Sequence, residues 1–376
     1  MSKKGGSEKT LWDIAVEERI KEEVGYKDKG KEDTSDQPTE SCILVCGSKQ
    51  SGKSSMILRF LERDENPKPT VALDYTFARR PRGHKMIKDV CNIYELGGGA
   101  SMSRLIETII TSSSISSKNL SIVVVLDLSR PNDLWETQEI LLKEVKHLVK
   151  KALSEIDRSA PSTSAKMKQK CWERVGENHA DKNLLDPLQI PLLIIGNKYD
   201  KYQEMEPEKK KIISKTLRFI AHKNGASLQF SSNKIDNLSS KTRSLFANMA
   251  FNMSVGKSSV TDHNKPIIVH AGQDKFDDIG APSISADRMM RVKGGTPDDL
   301  WRESFSEVFP PQNSEKEELK NDPSKDRQYA EQNIDAIKAQ KDQELANCRK
   351  QSERKAKEAG AGSSRASKSE QKRKAR

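Results

Sequence analysis

The stretch Cys42-Ile-Leu-Val-Cys46, followed by Gly47-Ser-Lys-Gln-Ser-Gly52-Lys53-Ser54, decides the fold of this chain. The apolar run is typical of a short buried strand, and the residues after Ser54 have helical character. Gly-x-x-x-x-Gly-Lys-Ser between a strand and a helix indicates a phosphate-binding loop. Its glycines let successive backbone N–H groups point at phosphate oxygens, at the positive end of the helix dipole.

This loop supplies the first set of candidate ligand-binding residues. Lys53 would reach the β- and γ-phosphate oxygens, and the Ser54 hydroxyl would bind Mg²⁺. The predicted phosphate-binding residues are Gly47, Ser48, Gln50, Ser51, Gly52, Lys53, Ser54 and Ser55.

Apolar bursts alternate with helix-like stretches downstream of the loop. The bursts span 42–46, 71–77, 90–96, 121–128, 190–196, 227–230 and 266–270, and helical periodicity occupies 54–61, 134–153 and 209–223. Short unbroken apolar strands separated by helices predict a mostly parallel sheet covered on both faces.

A second motif, Asn197-Lys198-Tyr199-Asp200, follows the burst at 190–196. It resembles the guanine-specificity motif of Ras-like GTPases, in which Asp accepts the N1–H and N2–H of guanine. Lys198 could lie along the base, Asn197 could brace the phosphate loop, and Ser231 and Ser232 could close over the base. The predicted fold class is therefore α/β, a Ras-like P-loop GTPase-type domain with polar N- and C-terminal extensions.

The two switch segments of such a domain are less regular. Pro69-Thr70-Val-Ala-Leu-Asp74-Tyr75 resembles a first switch, in which Thr70 would bind Mg²⁺ alongside Ser54, although Thr70 could equally be the turn before a strand. In the second switch Glu95 stands where Asp is usual, and Gly99 takes the place of the water-orienting glutamine. Even an intact site of this type hydrolyses GTP at about 10⁻⁴ per second without a partner's arginine. We therefore predict negligible hydrolysis and no catalytic residue.

Composition divides the chain into three parts. Residues 1–40 form an N-terminal helix and linker, 41–310 the P-loop domain with a polar insertion near 154–186, and 311–376 a charged tail that is helical or disordered. Lys and Arg number 66 against 55 Asp and Glu, for a net charge of +11. Residues 352–376 carry nine basic and three acidic side chains (9 − 3 = +6), so over half the excess lies in the tail.

Several classes of protein are excluded by this composition. No apolar run reaches the roughly 18–20 residues that a membrane span needs, and the N-terminus lacks the apolar segment of a secretory signal. The five cysteines form no CxxC pair, which indicates a reducing compartment. The six histidines show no HxH or HxxxH spacing, so no zinc site is predicted. The tail lacks aromatic residues for base stacking, and no nucleic acid partner is expected.

Several strings together resemble one family, the light intermediate chains of cytoplasmic dynein 2. They include Tyr94-Glu-Leu-Gly-Gly-Gly99 and Leu126-Asp-Leu-Ser-Arg-Pro-Asn-Asp-Leu-Trp135, and the resemblance extends over about 10–345. The other matching segments are 10–15, 69–80, 215–222 and 326–331.

The resemblance implies a non-catalytic subunit that binds and stabilises the dynein 2 heavy chain for retrograde intraflagellar transport and cilium assembly. It implies the other dynein 2 subunits as further partners, indirect association with transport trains and microtubules, and a location in the cytoplasm, cytoskeleton and cilium, including its base and axoneme. GDP or GTP with Mg²⁺ would then be structural rather than turned over.

Two other functions are compatible with the residues. An active regulatory GTPase would bind its partner in a nucleotide-dependent way. A microtubule or nucleic-acid binder would act through the basic tail and depend strongly on salt. The residues alone indicate a guanine-nucleotide-binding α/β domain.

Overall fold

The strand β1 (Glu40–Gly47) is buried along almost its whole length and lies at the centre of a seven-stranded sheet. The computed structural model describes residues 39–81, 88–256, 258–285, 295–311 and 331–373. The chain divides into two compact units, Met1–Gln312 and Asn313–Arg376. The predicted N-terminal helix and linker lie almost wholly outside the described residues, and the predicted domain boundaries stay a prediction.

The strands follow the predicted apolar bursts closely. The remaining strands are β2 (Leu73–Pro81), β3 (Lys88–Leu96), β4 (Leu120–Asp127), β5 (Leu192–Asn197), β6 (Ser227–Phe230) and β7 (Ile268–Val269). The sheet order is β2-β3-β1-β4-β5-β6-β7. The five inner strands pair in parallel, while β2 and β7 are antiparallel to their neighbours at the two edges.

Helices connect and cover the strands of this sheet. They are α1 (Lys53–Phe60), a 3-10 helix (Gly99–Thr108), α2 (Ser112–Ser117), α3 (Pro131–Ser159), α4 (Pro161–Val175), α5 (Tyr199–Tyr202), α6 (Pro207–Lys223), α7 (Asp236–Phe251), α8 (Phe276–Ile279) and α9 (Pro297–Val308). The predicted mostly parallel α/β architecture is thus confirmed.

Alternating side chains of β1 and β4 build a core on each face of the sheet. Leu44 and Val124 join the larger cluster with α3 and α6, whereas Val45 and Val123 join the smaller cluster with α1 and α7. Because both faces are covered, these strands are apolar along their full length. The sheet therefore holds the loops at its carboxyl edge in fixed positions.

The polar insertion near 154–186 is largely helical. It comprises the end of α3, all of α4 and the turns that return the chain to β5. Arg174 anchors it by donating from Nη2 to the Leu188 carbonyl at 2.7 Å and to the Ile190 carbonyl at 3.3 Å. Cys171 is buried beneath it.

The second unit contains the helix α10 (Gln332–Arg373). Every side chain described in it is exposed, including Ile334, Ile337 and Leu345. Within the part of the chain that the structure describes, no helix is long and apolar enough to span a bilayer.

Candidate nucleotide-binding site

The phosphate loop leaves β1 and enters α1 through two glycines that no other residue could replace. At Gly47 (φ 144°) a Cβ would come 1.9 Å from the Val125 carbonyl oxygen, and at Gly52 (φ 90°) it would come 2.5 Å from Nδ2 of Asn197. The Ser48 amide donates to that same Val125 carbonyl at 3.0 Å. The neighbouring strand β4 therefore supports the curled backbone, with Gln50 at a positive φ of 57° at its tip.

Lys53, at the start of α1, lies under this loop and is only 5% exposed. Its Nζ donates to the Ser48 carbonyl at 2.8 Å and lies 3.4 Å from that of Gly47. Burial lowers the pKa of Lys53, and the nearby Glu95 carboxylate partly offsets this effect. The ammonium is thus positioned against the loop that the sequence assigns to phosphate.

Ser54 and Thr70, the two predicted Mg²⁺ ligands, meet at one carboxylate. The Ser54 hydroxyl donates to Oε1 of Glu95 at 2.7 Å, and the Thr70 side chain lies near enough to that carboxylate to act to lower its pKa. Burial raises the pKa of Glu95, while the hydrogen bond from Ser54 and the charge of Lys53 act against the rise. A hydroxyl that donates to Glu95 keeps its lone pairs for a cation, so the three side chains form a hard oxygen donor set.

The glycines after Glu95 bring the second switch segment against the loop. A Cβ on Gly97 would come 2.2 Å from the Thr70 carbonyl oxygen, and one on Gly99 (φ 67°) would come 3.4 Å from the Lys49 amide nitrogen. The predicted water-orienting position therefore lies beside the phosphate loop but carries no side chain. Nothing at Gly99 can align a nucleophile.

Asn197, the last residue of β5, links the base motif to the phosphate loop. Its Nδ2 donates to the Ser51 carbonyl at 2.6 Å, and the residue is 2% exposed. Its Oδ1 and the Ser51 hydroxyl are both buried without a hydrogen-bond partner. Buried polar atoms without a partner are uncommon, and a bound water, ion or ligand is one way to satisfy them.

Lys198 points its ammonium at Asp127 rather than across the sheet edge. Nζ lies 2.6 Å from Oδ2 of Asp127, whose side chain is 2% exposed, and the Lys198 backbone is left-handed (φ 63°). Sequence spacing gives no signal for this ion pair, because the two residues are 71 positions apart. The ion pair engages only the ammonium, and the predicted contact of the Lys198 stem with a base stays a prediction.

Asp200 is fixed by the loop that follows β6. The Ser232 hydroxyl donates to its Oδ1 at 2.7 Å, and Nζ of Lys234 lies 2.9 Å from its Oδ2. Burial acts to raise the pKa of Asp200, but these contacts outweigh it and the pKa is lowered. Ser231 is placed differently, because its hydroxyl bonds Thr242 in the core at 2.7 Å.

The predicted residues therefore come together at one edge of the sheet. The glycine cradle, the unpaired buried atoms and the hydroxyl–carboxylate set fit a phosphate chain with a divalent cation. Ser55 is the third residue of α1 and is half-buried. The carboxylate of Asp200 retains lone pairs beyond its two contacts, which leaves it able to accept the N–H groups of guanine.

A second polar cluster, formed by His179, Asp181 and His222, lies outside this site. Nε2 of His222 is 2.8 Å from Oδ2 of Asp181, although the two residues are 41 positions apart. Sequence spacing could not have found it, because only folding brings α6 beside the chain that follows α4. His179-x-Asp181 was the only local signal.

Relatives that share one name match most of this chain, although no protein-family model matches the sequence. The cytoplasmic dynein 2 light intermediate chain 1 of Danio rerio is 44% identical over 341 residues, covering 90% of this chain and 94% of that protein. The Mus musculus protein of the same name is 41% identical over 343 residues, covering 91% and 96%.

Among solved structures, the crystal structure of a dynein light intermediate chain's conserved domain is similar with a TM-score of 0.48 and 18% identity. It covers 74% of this chain and 94% of that one. The family assignment rests on the sequence relatives, whose identity is maintained over almost their full length. This chain belongs to the family of cytoplasmic dynein 2 light intermediate chains.

Proposed function

We propose that the chain is a non-catalytic accessory subunit of the cytoplasmic dynein 2 motor that binds and stabilises its heavy chain. The observation that carries this proposal is the 41–44% identity to dynein 2 light intermediate chains over at least 90% of the chain. The activity would be retrograde intraflagellar transport and cilium assembly, with contacts to other dynein 2 subunits and indirect contacts to transport trains and microtubules. Its place would be the cytoplasm, the cytoskeleton and the cilium, including base and axoneme.

Co-purification tests the proposal directly. A tagged full-length chain expressed in ciliated cells should recover the dynein 2 heavy chain, and cells without the chain should lose retrograde transport. A tagged unrelated P-loop protein at matched expression is the control. Recovery of no dynein subunit, or normal retrograde traffic in the depleted cells, would defeat the assignment.

The chemistry of the second switch supports a subunit without turnover. Phosphoryl transfer to water needs a positioned nucleophile and stabilised charge, and Gly99 offers no side chain for the first requirement. In a single-turnover assay with GTP we expect hydrolysis no faster than the buffer background. A rate at or above about 10⁻⁴ per second would contradict the proposal.

Bound GDP or GTP with Mg²⁺ would have a structural role. Phosphates would lie in the loop from Gly47 to Ser55, Mg²⁺ beside Ser54 and Thr70, and the base near the Asn197–Asp200 motif with Ser231 and Ser232. Chromatography of small molecules released from the denatured, purified protein identifies any such ligand. Stabilisation would follow RT ln(1 + [L]/Kd), so added GDP should raise the melting temperature if the site is used.

An active regulatory GTPase is the second candidate, because the complete phosphate loop and base motif converge at one sheet edge. It predicts that Lys53→Ala or Asp200→Ala abolishes heavy-chain recovery in the absence of misfolding. A scaffold tolerates both substitutions. Measuring heavy-chain recovery beside the circular dichroism spectrum of each variant separates the two functions.

A further inference from the structure

His179, Asp181 and His222 bring two imidazoles and a carboxylate to one point between the polar insertion and α6. Each of the three residues offers one ligand atom, and these three atoms lie within 4.8 Å of one another. The side chain of His222 is 1% exposed and that of Asp181 is 13% exposed, so the cluster is largely shielded from solvent.

The hydrogen bonding of His179 determines which of its ring nitrogens is available. Nε2 lies 3.0 Å from the backbone carbonyl of Asp274, and a carbonyl can only accept. Nε2 therefore carries the proton, and the Nδ1 lone pair accepts a hydrogen bond from the Asp181 amide at 3.1 Å, which a cation would displace on binding. Metal-binding histidines typically donate their second N–H to a carbonyl or carboxylate in this way.

The carboxylate of Asp181 and the support behind it are also held in place. The Phe276 amide donates to Oδ2 of Asp181 at 2.9 Å. Asp274 is itself fixed by the buried Arg218, through Nε at 2.8 Å and Nη2 at 2.6 Å. The cluster thus has an outer layer of partners that orients its donors before any cation arrives, as in protein metal sites.

These observations come from three segments of chain that share no sequence motif, and we propose that His179, Asp181 and His222 bind a zinc-class divalent cation. A water molecule would complete four-coordinate geometry. Two imidazoles with one carboxylate suit Zn²⁺, whereas Mg²⁺ and Ca²⁺ prefer oxygen ligands throughout.

Binding requires the ligand atoms, now within 4.8 Å of one another, to close around the cation. Zinc bonds of about 2.0–2.2 Å place tetrahedral ligand atoms about 3.3 Å apart. Nε2 of His222 and Oδ2 of Asp181, now 2.8 Å apart, would separate by about half an ångström on that geometry. Nε2 of His222 gives up its proton and Nδ1 of the same ring takes one up, so the imidazole stays neutral. Three coordinate bonds then replace the hydrogen bonds at Nε2 of His222 and Nδ1 of His179. The metal would fasten the end of the insertion to α6.

The test uses the full chain carrying Cys348→Ser, because that exposed thiol could bind zinc by itself. Protein is incubated with Zn²⁺, dialysed and assayed for retained zinc, and Co²⁺ is used as a spectroscopic substitute. We expect one zinc per chain, tetrahedral Co²⁺ absorption and a raised melting temperature, with no competition from excess Mg²⁺.

Asp181→Asn and His179→Gln should each weaken zinc affinity by at least about tenfold. His147→Gln, at an exposed histidine of α3, is the matched control and should behave as the parent. Circular dichroism of the metal-free variants distinguishes lost binding from lost folding. The proposal is overturned if the parent chain retains no zinc, or if both cluster variants retain it as well as the parent.

Discussion

Asn197 joins the end of β5 to the phosphate loop through a single buried hydrogen bond. The sequence motif indicated that this residue could brace the loop, and the structure places its Nδ2 on the Ser51 carbonyl. The motif did not indicate that Lys198 would pair with Asp127 or Asp200 with Lys234. Such partners depend on distances between loops from different strands, which local sequence does not encode.

Asn197→Ala should lower the free energy of unfolding by about 1–3 kcal/mol, because it leaves the buried Ser51 carbonyl without a donor. Chemical denaturation of the full chain measures the change. Asn132→Ala is a matched control, since its Nδ2 also donates to a carbonyl, that of Pro310, but at an exposed site. We expect the control to change stability by less than about 0.5 kcal/mol. Equal losses for the two variants would contradict the account.

Asp200→Asn should reduce stability in a pH-dependent way. The folded-state pKa of Asp200 is lowered, because contacts with Lys234 and Ser232 outweigh burial, so folding favours the carboxylate. The Asp200 carboxylate therefore adds to the free energy of unfolding above its ordinary pKa of 3.8. This stabilisation is lost as the pH falls through the lower pKa of the folded state. We expect a loss of about 1 kcal/mol at pH 7 that shrinks below pH 4. A difference that is constant from pH 7 to pH 3 would show that the charge is not responsible.

The sequence predicted secondary-structure elements well wherever the apolar residues recur with a clear strand or helix spacing. Runs that are apolar on both faces predicted β1, β4 and β5, and helical spacing predicted α6. The antiparallel edges and α4 were less predictable. The direction of β2 depends on how the chain turns between β2 and β3, and the insertion reads as polar because only Ser164, Cys171 and Val175 of α4 are buried.

Helix α9 begins with a capping box that fixes its position on the core. Thr296 accepts from the Asp299 amide, and the Asp299 carboxylate accepts from the Thr296 amide at 2.8 Å. Trp301 then stacks on Phe219 with ring centroids 4.7 Å apart. The cap therefore sets the register of an aromatic contact.

Thr296→Ala should cost about 1 kcal/mol of unfolding free energy, because the Asp299 amide loses its side-chain acceptor and the Thr296 hydroxyl no longer donates to the Asp299 carboxylate. Thr296→Ser keeps the hydroxyl and should retain most of the stability. Thr261→Ala, at an exposed threonine outside the helices, serves as the surface control. Thermal and urea denaturation of the three variants measure the differences. A loss in Thr296→Ser as large as in Thr296→Ala would argue against capping.

For the whole molecule, the basic excess lies mainly in the last 25 residues, while the family identity extends over about 90% of the chain. Composition alone indicated that a tail-driven binder was possible. The resemblance over about 10–345 favours a function carried by the residues that precede this tail. The net charge does not distinguish a tail-driven binder from a scaffold, since a solvated tail and an electrostatic anchor have the same composition.

Deleting 352–376 should leave recovery of the dynein 2 heavy chain within about twofold of the full chain at physiological salt, because the shared sequence remains and the tail's six net charges are screened. Binding should also depend weakly on ionic strength. Heavy-chain recovery from extracts at low and high salt measures both. A steep salt dependence that disappears with the deletion would favour the tail as the binding element.

Glu95 accepts the Ser54 hydroxyl and lies beside the Thr70 side chain, so a carboxylate of the protein itself holds the phosphate loop to the second switch segment. A loop clamped by an internal carboxylate need not open and close with the cellular ratio of GTP to GDP. We expect such a subunit to present the same surface to its neighbours throughout the motor's cycle, as a scaffold and not as a nucleotide-dependent switch.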